Sequence, residues 1–192
     1  MKLVRTGALV ATLVMIAGAS FAAPLKLQPA NPQPSPKAGL NVNYFGTGNQ
    51  HKKIRDLSHA KSMLSKAQPG QPLRGLDYRD TSKGQDVMTF DGAYNVAAEI
   101  TGYMRFDSAG IYELETWSND GIEAFVGGQN IGQVSGIQGC EANQRTEVDV
   151  PKAGWYALKI IYFQKLGTSC LMMKSGKKGE RFTWTPNDVF GR

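Results

Sequence analysis

The sequence predicts an all-β fold of antiparallel strands, and three observations predict it. Apolar and polar residues alternate from Gly102 to Gly128 and again from Gly154 to Phe163, the period of a strand whose successive side chains point to opposite faces. Gly and Pro are plentiful, at 22 and 9 residues, as a chain with many tight turns requires. No long segment places apolar residues at helical spacing, so at most one or two short helices are expected.

The domain is expected to begin well after Met1. Lys2 and Arg5 precede a short apolar run from Gly7 to Phe21, and Ser20-Phe21-Ala22 offers small residues at the positions a signal peptidase reads. This is the pattern of a secretory signal peptide over residues 1–22, with cleavage after Ala22 or alternatively after Ala19. The run is too short and wrongly flanked for a stable membrane span, and no Cys beside the site points to a lipid anchor. About 170 residues follow, enough for one domain with its own core. The formal charge of +6 falls by two when Lys2 and Arg5 are removed. Such a mildly basic balance suits an anionic polysaccharide or membrane surface and does not demand nucleic acid.

The remaining elements follow in chain order. Residues 23–38 carry Pro24, Pro29, Pro32, Pro34 and Pro36, and read as a proline-rich linker. Gly39 to Phe45 alternates and reads as a first strand of the domain at 39–192. Ser58 to Ala67 holds helix formers between a Ser cap and Pro69, and predicts a short helix. Leu73 to Arg79 and Val87 to Phe90 read as short strands about the turn Asp80 to Gly84. Asn95 to Phe106 is a longer strand. A second runs from Gly110 to a corner at Ser118-Asn119-Asp120-Gly121, and Ile122 to Val126 follows. Thr146 to Val150 is a strand, Pro151 to Gly154 a turn, and Trp155 to Phe163 the strongest strand, with Tyr156, Leu158, Ile160 and Tyr162 on one face. Cys170 to Lys174 is expected as its hairpin partner, and Phe182 to Pro186 as a closing strand. Cys140 and Cys170 are expected to pair, because an exported chain meets an oxidising compartment. A loop of about 30 residues closed in this way adds roughly 3–4 kcal/mol.

Gly102, the Gly110-Ile111-Tyr112 triplet, the acidic corner at Asn119-Asp120, and the Gly-x-Tyr-x-Leu-x-Ile-x-Tyr-Phe cadence from Gly154 to Phe163 together resemble the protective-antigen 14-kDa (PA-14) domain family. The resemblance covers about Gly39 to Arg192. It implies a jelly-roll-like antiparallel β-sandwich of the kind found in adhesins, toxins and glycosidases, several of which bind sugars. Calcium-dependent sugar binders of that family carry two consecutive Asp at the corner, aided by an Asn and backbone carbonyls from a later loop. Here the two positions are Asn119 and Asp120, the Asn position falls near Gln164, and Lys165 brings a cation to the loop Gln164 to Gly167. One lost charge and one of the wrong sign both disfavour calcium. Three readings stay open: a calcium held by Asp120 and Asn119; metal-free hydrogen bonding of sugar hydroxyls by Asn119, Asp120 and Gln164 beside Trp117 or Trp155; and a turn that serves folding alone.

Catalytic signatures are absent from the sequence. His51 and His59 are not at a metal-ligand spacing. Gly46-Thr47-Gly48 lacks the third Gly and the strand–helix context of a dinucleotide site, and no Gly-x-Ser-x-Gly elbow occurs. Glu113 and Glu115 share a strand face but do not specify a glycosidase. The basic stretch Lys174 to Arg181 has no interleaved aromatics and reads as a solvated turn. The expectation is a monomeric, secreted or periplasmic, non-catalytic carbohydrate-binding module without a full calcium site. Its partner would be a glycan or cell-envelope polysaccharide, with no nucleic acid and no transmembrane anchor. The alternative is a structural or protein-interaction module of the envelope with no glycan ligand.

Overall fold

Alternation in the sequence becomes two packed sheets. A computed structural model describes residues 23–47, 51 and 53–192; the signal peptide expected at residues 1–22 lies outside the described residues. In chain order the strands are β1 (Leu25–Lys26), β2 (Asn41–Gly46), β3 (Gln68–Pro69), β4 (Asp77–Tyr78), β5 (Val96–Phe106), β6 (Gly110–Asn119), β7 (Ile122–Val126), β8 (Gln129–Val134), β9 (Glu141–Val150), β10 (Gly154–Gln164), β11 (Cys170–Lys177), β12 (Thr183–Trp184) and β13 (Phe190–Gly191). One sheet has the order β1-β9-β6-β11-β12, with β4 also on β11. The other has the order β3-β2-β5-β10-β7-β8, with β13 also on β5. All pairings between strands are antiparallel except that of β1 with β9.

The core lies between the sheets. Tyr156, Leu158, Ile160 and Tyr162 of β10 point inward, as their spacing predicts, and meet Leu114 of β6 and Met173 of β11 in one buried cluster. The run Ile160-Ile161-Tyr162-Phe163 is apolar on both faces because both are covered. Ile161 and Phe163 point outward and pack with Ala97 under Ile54, Leu57 and Ala60, the latter two from a single helix, α1 (Leu57–Met63). That helix is capped by Asp56, whose carboxylate accepts the His59 amide at 2.8 Å, rather than by Ser58. A 3-10 turn over Leu64–Lys66 continues it.

The pairing of β11 departs from expectation. Cys170–Lys177 is not the hairpin partner of β10 but pairs with β6 in the other sheet, so the loop after Gln164 crosses between layers. Strand β8, which the sequence did not suggest, follows the Gly127-Gly128 turn and pairs with β7. Between Leu73 and Arg79 only Asp77–Tyr78 forms a strand, and Val87 to Phe90 forms a single bridge.

Residues 23–38, expected as a spacer, run extended along the sandwich and bond to it. The proline-free positions keep their amides, and these find partners: Leu27 to the Asp149 carbonyl, Gln28 to Gly127 and Ala30 to Trp155, each at 2.9 Å. Lys37 and Arg192 exchange two backbone hydrogen bonds. Leu27 is 1% exposed and belongs to the core cluster. Leu27→Ala should therefore cost about 2–4 kcal/mol by cavity formation, read as a lower urea midpoint; an unchanged midpoint would show that the segment is a passive tether.

Candidate functional site

Three connections between the two sheets converge at one end of the sandwich. The corner Asn119-Asp120-Gly121 carries the chain from β6 to β7, residues 135–140 carry it from β8 to β9, and residues 165–169 carry it from β10 to β11. The crossings are tied to one another. Asp120 donates its amide to the Phe163 carbonyl and Phe163 donates to Gly121, both at 3.0 Å. The Asp120 carboxylate accepts the Lys165 amide at 2.7 Å. Asn119 Nδ2 donates to Thr168 Oγ1 at 3.0 Å, and the Tyr162 hydroxyl donates to the Asn119 carbonyl. The Asn119–Asp120 peptide is cis. Gly121 is required by close approach: a Cβ there would lie 2.8 Å from the Val134 carbonyl and against the Phe163 ring.

The middle crossing is anchored by Gln138 and Cys140. Gln138 Nε2 donates to the Ser118 carbonyl at 3.0 Å and to Asn143 Oδ1 at 3.1 Å. Asn143 in turn donates to Thr116 Oγ1 at 2.8 Å, beside a register shift of the β6–β9 pair between Glu115 and Trp117. Cys140 and Cys170 form a disulfide, and Cys170 is the β-partner of Asn119. The loop after Gln164 is held further by Asn95, which donates to the Lys165 carbonyl at 2.9 Å, and by Thr81, whose amide and hydroxyl engage Ser169.

The sequence-predicted residues lie close together but beneath the surface. Asp120 is 2% exposed, Asn119 7% and Gln164 0%. The Gln164 amide has no hydrogen-bond partner among the described residues. Trp117 is half-buried on the outer face of its sheet, the face Asn119 shares by alternation. It donates from Nε1 to Glu115 Oε1 at 2.8 Å and stands edge-on to Trp184, with the Lys174 ammonium 4.8 Å from its ring centre. Trp155 is half-buried at the start of β10, the end of that strand far from Gln164, with Arg105 over its ring.

What faces outward at this end is different. Leu166 and Gly167 form the tip of the β10–β11 loop and, with Lys83 and Tyr94, line a cleft of about 230 Å³. Ile137 is 55% exposed in the neighbouring crossing. Sequence reasoning missed Tyr94, Gln138 and Ile137. Only Ile137 leaves a signal, an isolated large apolar residue between Gly136 and Gly139 in a stretch without periodicity.

The donor set is poor for calcium. The ion takes roughly six to eight oxygens and favours carboxylates. The corner supplies one carboxylate, whose Oδ2 accepts the Lys165 amide, and a neutral Asn119 side chain, whose Nδ2 donates to Thr168 and whose Oδ1 would bring no charge. The Lys165 charge is near enough to stabilise the Asp120 carboxylate itself. Among the described residues no group of three or more His, Cys, Asp or Glu side chains is placed to hold a metal ion.

Burial raises the Asp120 pKa above its ordinary 3.8, against the opposing pull of the Lys165 and Gln138 backbone amides and the Lys165 charge. The folded state therefore holds this proton to higher pH than the unfolded chain does. Stability from this group is fully present below the unfolded value and is lost as pH rises through the folded one. An Asp120→Asn variant removes the titration. Its melting temperature minus that of wild type should rise as pH is raised from about 4 through the raised pKa; a difference that falls over that range would contradict the burial argument.

Residues 77–191 match the PA14 domain family. No curated protein matches the chain. Among solved structures, the PA14 sugar-binding domain from an RTX adhesin superposes with a TM-score of 0.65 at 17% identity, covering 80% of this chain and 98% of that one. The PA14 domain of the MpAFP antifreeze protein gives 0.65 at 15% identity, covering 91% and 95%. The Candida glabrata Epithelial Adhesin 9 A domain, solved in complex with Galb1-4GlcNAc, gives 0.63 at 15% identity, covering 88% and 95%. These likenesses extend over both sheets, and the family match spans the corner and all three crossings: the chain belongs to the PA14 domain family.

Proposed function

We propose that the chain is an exported, non-catalytic carbohydrate-binding module that takes its glycan at the end where the three crossings meet, without calcium. Residues 1–22 act as the export signal and the remainder as a monomeric module outside the cytoplasm. A cell-envelope polysaccharide or other glycan is the partner. The observation that carries the reading is the rigid seating of the β10–β11 loop. Asp120 and Thr81 hold its backbone and Asn119 holds the Thr168 side chain, leaving Leu166 and Gly167 presented with Tyr94 and Lys83 around a cleft. A preorganised loop of this kind binds without a large ordering cost. Tyr94 offers a ring and a hydroxyl, Lys83 a donor and Leu166 an apolar flank, the mixture that a sugar's C–H faces and hydroxyls require. In this arrangement Asn119 and Asp120 serve the contact from below and Gln164 packs behind them. Trp117 stands to one side.

Export is supported by the Cys140–Cys170 disulfide, since such bonds persist in oxidising compartments. Among the described residues no helix is long and apolar enough to cross a membrane. Two structural neighbours, the sugar-binding domain of the RTX adhesin and the adhesin domain in complex with Galb1-4GlcNAc, favour a glycan ligand over a catalytic role. Burial of Asn119, Asp120 and Gln164 favours a second reading, in which the corner serves folding alone and the module binds no glycan.

A glycan array probed with and without chelator separates the readings. The proposal expects binding in both states, weakened about tenfold by Tyr94→Ala with the fold intact. No glycan bound in either state would leave the structural reading, and binding abolished by chelator would overturn the metal-free mechanism.

A further inference from the structure

A cavity larger than the cleft lies away from the crossings. It lies on the outer face of the β5-β10-β7 sheet, walled by α1 and the 3-10 turn after it, with a volume of about 600 Å³, inside the range of about 300–1,000 Å³ typical of ligand sites. The strand register sets out its floor. Ile161 of β10 is paired with Glu99 on one side and Glu123 on the other. One row along, Lys159 is paired with Phe125. The next outward residue, Ala157, is short and exposed beside the Gly127-Gly128 turn, to which its carbonyl bonds at 2.8 Å. The small side chain makes the trough, and the Phe125 ring borders it.

Charge on this face is patterned and balanced. Lys61 of α1 bonds Glu123 at 2.8 Å, and Lys159 bonds Glu99 at 2.7 Å. Two ammonium groups and two carboxylates thus stand around an apolar floor as two ion pairs. An anion would meet both glutamates and a cation both lysines, so neither is favoured. A ligand with many hydroxyls finds acceptors and donors side by side, and one with an apolar face finds Phe125 and Ile161.

We propose that this groove is a second ligand site, and that its occupant is an uncharged oligosaccharide lying along β10 with one ring face on Phe125. The site stands on its own geometry and shares no residue with the cleft at Tyr94 and Leu166, so it extends the glycan-binding reading without depending on that cleft. Two sites on different faces would let one module hold two segments of a polysaccharide, raising avidity by effective concentration.

The test is amide chemical-shift mapping on the isotope-labelled chain without residues 1–22. The probes are neutral hexasaccharides (cellohexaose, chitohexaose and maltohexaose) against hexagalacturonate as the charged comparison. At least one neutral probe should shift the amides of Phe125 and of Ala157 to Ile161. Phe125→Ala should weaken that binding about tenfold, and Ala157→Trp, which fills the trough from the surface, should abolish it. Tyr94→Ala should leave it unchanged. Shifts in both variants that stay confined to the groove certify their fold. The proposal fails if no neutral probe shifts these amides, if hexagalacturonate shifts them equally, or if binding survives both substitutions. Failure of the cleft would appear separately, as unmoved amides at Leu166 and Gly167.

Discussion

A single buried carboxylate organises the end of this domain where the three crossings meet. Asp120 sits where the chain leaves one sheet for the other, and it accepts the backbone amide of Lys165, which sits where the chain returns. The backbone amide of Gln138, on the middle crossing, also favours its charged form, and the Gln138 side chain ties that crossing to the Ser118 carbonyl. Three connections that would otherwise be independent surface loops are thereby joined at the corner. Burying a carboxylate is costly, as its raised pKa records, and the two amides and the Lys165 charge offset that cost. The same logic explains the neighbouring residue. With a neutral Asn at 119 there is no second charge to repel Asp120, and its amide is free to hold Thr168.

The rest of the fold supplies the frame on which this end is held. β10 is the central strand of its sheet, buried on both faces at its last turn by the inter-sheet core and by α1. The Gln164 position from which the loop departs is fully buried. The disulfide fixes the start of β9 to the start of β11. The N-terminal strap closes the opposite end, where Ala30 and Gln33 bond Trp155 and Leu27 enters the core. Rigid strands with short, cross-tied crossings suit recognition by a preformed surface.

Much of this was legible in the sequence. Period-two alternation located β5, β6, β7 and β10, and the inward stripe from Tyr156 to Tyr162 was read directly from spacing. The Cys pair followed from counting. What sequence could not supply was which strands pair across the sandwich. Cys170–Lys177 follows β10 closely in sequence, and adjacency suggested a hairpin; only the change of layer at Lys165 places it beside β6. The proline-rich stretch was misleading for a related reason. Proline forbids a full ladder, but the amides between prolines were still able to bond and Leu27 to bury. The residue types Asn119, Asp120 and Gln164 drew attention to this corner, yet their depth could not be seen. Polar side chains at a turn are usually exposed, and here three converging crossings cover them. Tyr94 and Gln138 were invisible because nothing in irregular segments announces what they will face.

Two surfaces of the domain thus have distinct physical characters: a cross-tied loop end that presents a narrow cleft, and a flat sheet face with balanced charge. Both depend on the backbone being held where it is, and the crossings depend on Asp120. The most direct measurement is the hydrogen-exchange rate of the Lys165 amide. If the carboxylate locks the loop to the corner, this amide is protected to a degree comparable with the central β10 amides and loses that protection in Asp120→Ala while Ile160 retains it. Exchange of the Lys165 amide at the rate of an open loop in the native protein would contradict the account.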